Sequence, residues 1–418
     1  MFATEAWIPP LQALCDRLRR AARAAIADAL ANGTLASLGR PIREGVGDTT
    51  FGLDECTERE LDRWFEETAR RGPLSVLTED RGWRHRGPDG RGGWRELPDF
   101  DHGGPRIAID PVDGTRNVMA DLRSAWVVVS FAPPGRGEPR MRDLTLGVVS
   151  EIPDSRAARY RELVGVAGGA CTAREIELDA EVERGANSRR AGEPMADATL
   201  ADATPADGTR AYGTPADATP AASMPNEAMC PDPLPLGATP TDSTRALEHD
   251  GRACNSGRVV AERVLAADAL AHKDHGYFTF FRFLPDQRPL IARVEAAFFA
   301  RLAEQEGADV RTCWDDQYIS SGGQLALLAL GVYRMATDLR ALVAKKRGVP
   351  TMTTKPYDLA GAVVCARAAG AIVTTPDGAE LDFPIDCETP VDFAAFANRA
   401  TFERVLPHLR AALRTLDA

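Results

Sequence analysis

The chain has 418 residues, 44% of them hydrophobic and 27% charged, with a formal net charge of -11. Such length and apolar content suffice for a large core or two lobes, while the acidic balance excludes general nucleic-acid or membrane-surface binding, which need a basic face. No window reaches the apolar length of a membrane span, and Met1 to Pro10 lacks a basic stretch followed by an apolar one.

Leu11 to Leu30 carries Leu11, Leu14, Leu18, Ala22, Ala25 and Ile26 at the spacing of one helical face and predicts a helix packed on a sheet. A Gly-rich break, Gly45 to Asp54, precedes Thr57-Glu58-Arg59-Glu60, whose capping-box pattern predicts the start of a second helix with Leu61, Trp64 and Phe65 turned inward. Asp54 stands just ahead of that helix, where an acid serves equally well as a cap. Pro73 to Asp80 reads as a short strand, Leu74-Ser75-Val76-Leu77, ending in Thr78-Glu79-Asp80; acid pairs of this kind most often sit solvated in loops. Arg81 to Pro105 is rich in Gly, Arg and Asp and predicts a surface loop bordering a site, with the length for a lid.

The stretch Ile107-Ala108-Ile109-Asp110-Pro111-Val112-Asp113-Gly114-Thr115-Arg116-Asn117 sets two carboxylates three residues apart where a short apolar strand is expected to stop. Pro111 cannot donate to a ladder and so should end the strand, and Gly114-Thr115 can open a helix. A turn of that kind points Asp110, Asp113 and the Val112 carbonyl to one side, the outline of a metal site. The amides of Gly114 and Thr115 face the same space and suit an anion. A bare Asp-Gly pair would be an ordinary turn, but the run here is longer.

Ala125 to Phe131, Thr145 to Glu151 and Arg161 to Val166 are β-rich runs between Pro/Gly/Arg-rich turns and predict a mainly antiparallel sheet, with a turn at Gly168-Gly169. From Ala196 a five-residue period of the Ala-Asp-Ala-Thr-Pro type suits neither helix nor strand, so the segment to Arg252 is expected to be a disordered insertion. Val259 to Ala271 reads as helical, His275 to Phe283 as a strand, and Leu290 to Glu306 as an amphipathic helix. Ser320-Ser321-Gly322-Gly323-Gln324 opens a predicted long helix, Leu325 to Val343. Asp315 and Asp316 read as loop caps. Lys355-Pro356-Tyr357-Asp358-Leu359-Ala360-Gly361-Ala362 starts another helix with Asp358 at its N-terminus, followed by a strand at Ala371 to Thr375 and a Pro376-Asp377-Gly378 turn. The eight cysteines, at positions 15, 56, 171, 230, 254, 313, 365 and 387, show neither C-x-x-C nor zinc spacing. They read as reduced, mostly buried thiols of a cytoplasmic protein.

Asp110-Pro111-Val112-Asp113-Gly114-Thr115-Arg116-Asn117 resembles the signature of the inositol monophosphatase family, within the wider superfamily of metal-dependent phosphatases that includes fructose-1,6-bisphosphatase. Three further stretches in the family's order are similar to its other elements. Thr78-Glu79-Asp80 resembles the strand ending in paired acids, Ser320 to Gln324 the S-x-G helix element beside the substrate, and Tyr357-Asp358-Leu359-Ala360-Gly361 the W-D-x-A-G segment with Tyr for Trp. The resemblance covers most of residues 40 to 170 and 255 to 385 and implies a layered αβαβα sandwich. Its α+β lobe would span residues 1–185, the low-complexity insertion 186–252, and the α/β lobe supplying the last ligand Asp 253–418.

The resemblance further implies a magnesium-dependent phosphomonoesterase acting on a small phosphorylated polyol such as inositol monophosphate. Two or three ions would be held by Glu79, Asp110, Asp113, Asp358 and the Val112 carbonyl, a hard-oxygen set that suits magnesium. Glu79 and Thr115, the latter oriented by Asp54, would align the attacking water, and the Gly114 and Thr115 amides would hold the phosphate. A sugar bisphosphatase and a nucleotide 3'-phosphatase stand behind this reading, since Lys345-Lys346-Arg347 either caps a helix end or reads a second anionic group. From another class, a non-catalytic metal- or phosphate-binding relative would not need the Asp54–Thr115 pair. The expected partner is a small phosphate ester, with no nucleic-acid polymer and no membrane; a homodimer stays open.

Overall fold

Apolar residues at helical spacing decide how the chain begins to pack. In the computed structural model, which describes residues 4–39, 41–44, 49–79, 81–178 and 257–417, α1 (Ile8–Ala31) buries Leu11, Leu14, Leu18, Ala22 and Ile26. Its prolines occupy the first turn, where a missing N–H leaves no bond unmade. After the single turn of α2 (Leu35–Leu38) and an antiparallel pair, β1 (Pro41–Glu44) with β2 (Thr49–Phe51), α3 (Gly52–Ala69) lies against α1 and buries Leu53, Leu61, Trp64 and Phe65. The Ala/Asp/Thr/Pro repeat and Asp80 lie outside the described residues.

Both helices cover one face of a nine-stranded sheet. Its strands are β3 (Leu74–Thr78), β4 (Gly82–Pro88), β5 (Trp94–Glu96), β6 (Arg106–Asp113), β7 (Ala125–Ala132), β8 (Leu146–Ile152), β9 (Arg159–Val166), β10 (Cys171–Glu177) and β11 (Val259–Leu265). They run in the order β11-β10-β9-β8-β7-β6-β3-β4-β5. Every neighbouring pair is antiparallel except β3 with β6. Strands β6, β7 and β8 are buried along their whole length, as expected of a sheet covered on both faces.

A second sheet has the order β13-β12-β14-β16-β15, built from β12 (Gly276–Phe280), β13 (Cys313–Trp314), β14 (Tyr333–Asp338), β15 (Ile372–Thr374) and β16 (Phe393–Phe396). Between the sheets lie α6 (Ser321–Ala329) and α8 (Pro356–Ala368), which are apolar on nearly every side because both sides meet a sheet. The outer face of the second sheet is covered by α5 (Arg288–Glu306) and α9 (Arg399–Leu413), with Phe280, Phe298, Phe396 and Leu409 in their shared core. Three cores, the middle one spanning both faces of the central helices, therefore hold five layers together, helix–sheet–helix–sheet–helix, the αβαβα sandwich expected from the sequence. Helix α8 approaches the first sheet so closely that a Cβ on Gly361 would lie 2.2 Å from the Val129 carbonyl oxygen. Among the described residues no helix is long and apolar enough to cross a membrane, and the six described cysteines are free thiols.

Five local expectations are corrected. Helix α3 starts at Gly52, so Asp54 sits inside its first turn rather than ahead of it, and Thr57 donates its hydroxyl to the Asp54 carbonyl instead of capping. The acids Asp54 and Glu55 suit that first turn. Strand β6 runs through Pro111 to Asp113 rather than ending at the proline. Residues 81–105 form β4 and β5 and extend the sheet edge. Val259–Leu265 is a strand, because pairing with β10 outweighs its local helical pattern. The expected helix Leu325–Val343 is three elements: α6 stops at Ala329, Gly331 takes a left-handed φ of 78°, and β14 and α7 (Arg340–Arg347) follow. Strand β16 and α9 were not anticipated.

Candidate active site

In a regular strand, residues three apart face opposite sides of the sheet. On β6, however, Asp110 pairs with Val128 and Asp113 with Trp126, so three steps on β6 match two on β7. The extra residue is a bulge at Pro111-Val112, a place where a proline without an N–H is tolerated. It restores the parity and lets Asp110 and Asp113 line the same cleft. Gly114 follows with φ 97°, a conformation glycine adopts without strain, and begins the single turn α4 (Thr115–Val118). The Thr115 hydroxyl donates to the Val112 carbonyl at 2.8 Å and lies 3.3 Å from Asp54 Oδ1.

Other elements bring the remaining acids. Glu79 follows the last residue of β3, the parallel neighbour of β6. Asp358 occupies the third position of α8 and accepts from the Lys355 backbone N–H at 3.0 and 3.2 Å, so it caps its own helix. Asp54, Glu79, Asp110, Val112, Asp113, Gly114, Thr115 and Asp358 all line one cleft of about 840 Å³ that opens to solvent. Every residue singled out from the sequence as ligand, water-aligning group or phosphate donor thus borders the same space.

Electrostatics mark the cluster as unusual. Burial holds the Asp110 carboxyl well above the ordinary range, and the charges of Asp113, Asp358 and Glu79 push the same way. Burial lifts Asp113 to about 6, against the pull of hydrogen bonds from Ser320, Gly322 and Gly323. Two largely buried carboxylates facing two more need a cation to remain ionised together. The oxygens are also of the kind hard cations take: carboxylates plus a carbonyl. As the side chains stand, no three acidic, histidine or cysteine groups among the described residues close to the spacing of ligands on one ion. Several instead spend an oxygen on a protein donor: Asp110 on the Val112 N–H, Asp113 on α6 and Asp358 on Lys355. The donor set fits a hard divalent cation in kind, and binding one requires the carboxylate oxygens not held by those donors to close on it.

Other expectations fall away from the cleft. No residue of 81–105 lines it, so the foreseen bordering loop is a sheet edge. Lys345, Lys346 and Arg347 are exposed at the C-terminal end of α7, where Lys346 pairs with Asp417 and Arg347 with Asp286. They complement the helix dipole and do not line the cleft. Asp315 and Asp316 are bound by Arg282 and Arg123.

Residues that sequence reasoning missed line the cleft as well: Phe281, Phe283, Arg340 and Met352. Arg340 bonds to Asp338 and Thr354, and its guanidinium carbon sits 4.1 Å from the Phe281 ring centroid. The signal available was Asp338 two positions before Arg340, and only the break at Gly331 would have freed that pair from the predicted helix Leu325 to Val343.

No family model and no curated protein matches the sequence. Solved structures match along almost its whole length. Inositol monophosphatase II from Staphylococcus aureus MSSA476 aligns with a TM-score of 0.50 at 12% identity, covering 99% of this chain and 98% of that one. The extragenic suppressor protein suhB from Bartonella henselae gives 0.49 at 11% identity over 96% and 98%. A hypothetical protein from Pyrococcus horikoshii with similarities to inositol-1 monophosphatase gives 0.45 at 14% identity over 93% and 95%. These structural neighbours are inositol monophosphatases or resemble them, and the first likeness establishes the fold at this level of identity: the α/β sandwich of an inositol monophosphatase.

Proposed function

We propose that the chain is a magnesium-dependent phosphomonoesterase that hydrolyses a small phosphorylated polyol such as inositol monophosphate. The observation that carries this reading is the convergence of Glu79, Asp110, Asp113 and Asp358, from three separate elements, on one cleft that also holds Thr115 and Asp54. Glu79, Asp110, Asp113, Asp358 and the Val112 carbonyl would hold the ions, two or three on the family resemblance. Bound there, magnesium supplies positive charge to the phosphate and lowers the pKa of water.

The chain's own residues do the positioning. The Thr115 hydroxyl has one proton and two acceptors within reach, the Val112 carbonyl and Asp54. Turned to Asp54, its oxygen presents a lone pair to an attacking water, and Glu79 accepts that water's proton. The backbone N–H groups of Gly114 and Thr115 serve the phosphate oxygens. Attack is in line, with no phosphorylated side chain, and the leaving alkoxide takes its proton from water.

The cleft gives little support to a bisphosphate. Arg340 already binds Asp338, Thr354 and the Met352 carbonyl, and the basic run of α7 lies elsewhere. A purely binding role is disfavoured because an Asp54–Thr115 pair contributes nothing to holding a cation.

The test is phosphate release from inositol monophosphate, glycerol phosphate, fructose 1,6-bisphosphate and a nucleoside 3'-phosphate, with magnesium and with chelator. Magnesium-dependent release, fastest from the polyol monophosphates, is expected. Release that survives chelation, or none from any ester, contradicts the reading.

A further inference from the structure

Asp113 is held from across the chain. Its Oδ2 accepts the Ser320 hydroxyl at 2.7 Å, the Gly322 N–H at 2.6 Å and the Gly323 N–H at 3.3 Å, all at the N-terminus of α6. Ser320 is 2% exposed, and its hydroxyl does two things at once. It accepts from the Gly323 N–H at 2.9 Å, which caps α6, and it donates to the carboxylate. Beside it, the Asn117 side-chain amide donates to the Ile319 carbonyl at 3.0 Å. The approach is close enough that a Cβ on Gly322 would stand 2.8 Å from Asp113 Oδ2 and 2.6 Å from a Val128 methyl. A side chain there would push the helix off the carboxylate.

We propose that Ser320 is a positioning residue for the cation site: by drawing Oδ2 of Asp113 onto the α6 N-terminus it fixes the carboxylate plane and presents Oδ1 to the cleft. This rests on the reading of the cleft as a divalent-cation site. Three donors on one oxygen leave the carboxylate little rotational freedom, so ordering it on ligation costs little. The donors belong to a helix between the two sheets, while Asp113 belongs to β6. Ligation of Asp113 and seating of α6 are therefore coupled. A carboxylate that must bind a cation with one oxygen is best held by the other, and the helix dipole favours its charged form.

The experiment is calorimetric titration of the full chain with magnesium, without substrate, for wild type, Ser320→Ala, Ser320→Gly and Ser320→Thr. Each variant's melting temperature, kcat and KM are measured alongside. Loss of a group orienting a metal ligand weakens metal affinity roughly 10–100-fold. That loss is expected in Ser320→Ala and Ser320→Gly, and Ser320→Thr should recover most of it. Gly is tolerated at an N-cap far better than Ala, so Ser320→Gly reports affinity even if Ser320→Ala folds poorly. A merely structural serine would lower the melting temperature and leave magnesium affinity unchanged, which would overturn the proposal. Wild type that binds no magnesium would overturn the phosphatase reading as well, whereas wild type that binds while Ser320→Gly binds equally overturns only this inference.

Discussion

Thr115 Oγ1 lies 3.3 Å from Asp54 Oδ1, joining the turn after β6 to the first turn of α3. The same hydroxyl is closer, at 2.8 Å, to the Val112 carbonyl. A hydroxyl has one proton, so the two acceptors compete, and the Asp54 contact is the weaker partner in the structure. The proposed function needs the proton to turn to Asp54 during catalysis. Thr115→Ala should then lower kcat by roughly two to four orders of magnitude, the scale of losing a positioned proton-transfer group, while magnesium affinity hardly moves. Asp54→Asn should resemble it and add little in the double variant, as for residues acting as one unit. Rate losses that multiply fully would refute the pairing.

Removing a buried like charge should stabilise the magnesium-free protein. Asp110 is held above the ordinary carboxyl range by burial and by Asp113, Asp358 and Glu79. A carboxyl whose pKa is raised by folding loses stability as pH rises, because the unfolded chain releases its proton more readily. In chelator at pH 7.5, Asp110→Asn should melt higher than wild type by on the order of a few degrees, the shift about 1 kcal/mol gives in a large domain. An equal or lower melting temperature would show that the cluster is not strained by its own charge.

A second pH dependence lies at the sheet edge. Ser75 Oγ lies 2.8 Å from His85 Nδ1 and 2.7 Å from His102 Nε2, and the Gly104 N–H donates to His102 Nδ1. That bond makes His102 Nδ1 an acceptor, so its Nε2–H donates to Ser75, whose own proton goes to His85. Both rings are neutral in this chain, and burial lowers both pKa values. A histidine depressed by folding contributes stability above its unfolded pKa, about 6.5, and that stability is lost as pH falls. Urea unfolding at pH 7.5 and 5.5 should show wild type losing more stability on acidification than His102→Gln. Identical pH dependence would mean the chain of hydrogen bonds is unimportant.

Lys345, Lys346 and Arg347 are exposed and outside the cleft. Replacing all three with Ala should leave KM for a monophosphate within about twofold, since exposed ion pairs contribute little and act locally. A much larger rise in KM would return the second-anion reading.

Much of this arrangement was legible in the sequence because local chemistry agrees with tertiary context at the motifs. Asp110 to Asn117, Thr78-Glu79 and Asp358 lie at strand ends and a helix start, where side chains have few alternatives. The β6 bulge was not legible. Pro111 signals a break in a ladder, and only the pairing with Val128 and Trp126 shows that the strand continues past it. Val259 to Leu265 misled because its neighbour β10 lies far back in sequence. Leu325 to Val343 has the pattern of one helix because nothing local distinguishes Gly331 as an interior glycine from the left-handed stop it is. The role of Ser320 toward Asp113 depends on a contact 207 positions long, which no local pattern encodes.

The most direct test of the account is magnesium-dependent phosphate release by Asp110→Asn beside its melting curve. The expected result is a folded protein whose turnover is reduced to background, since an uncharged amide replaces a carboxylate that faces three others while the acceptor for the Val112 N–H is kept. Unchanged turnover in a folded Asp110→Asn protein would contradict it.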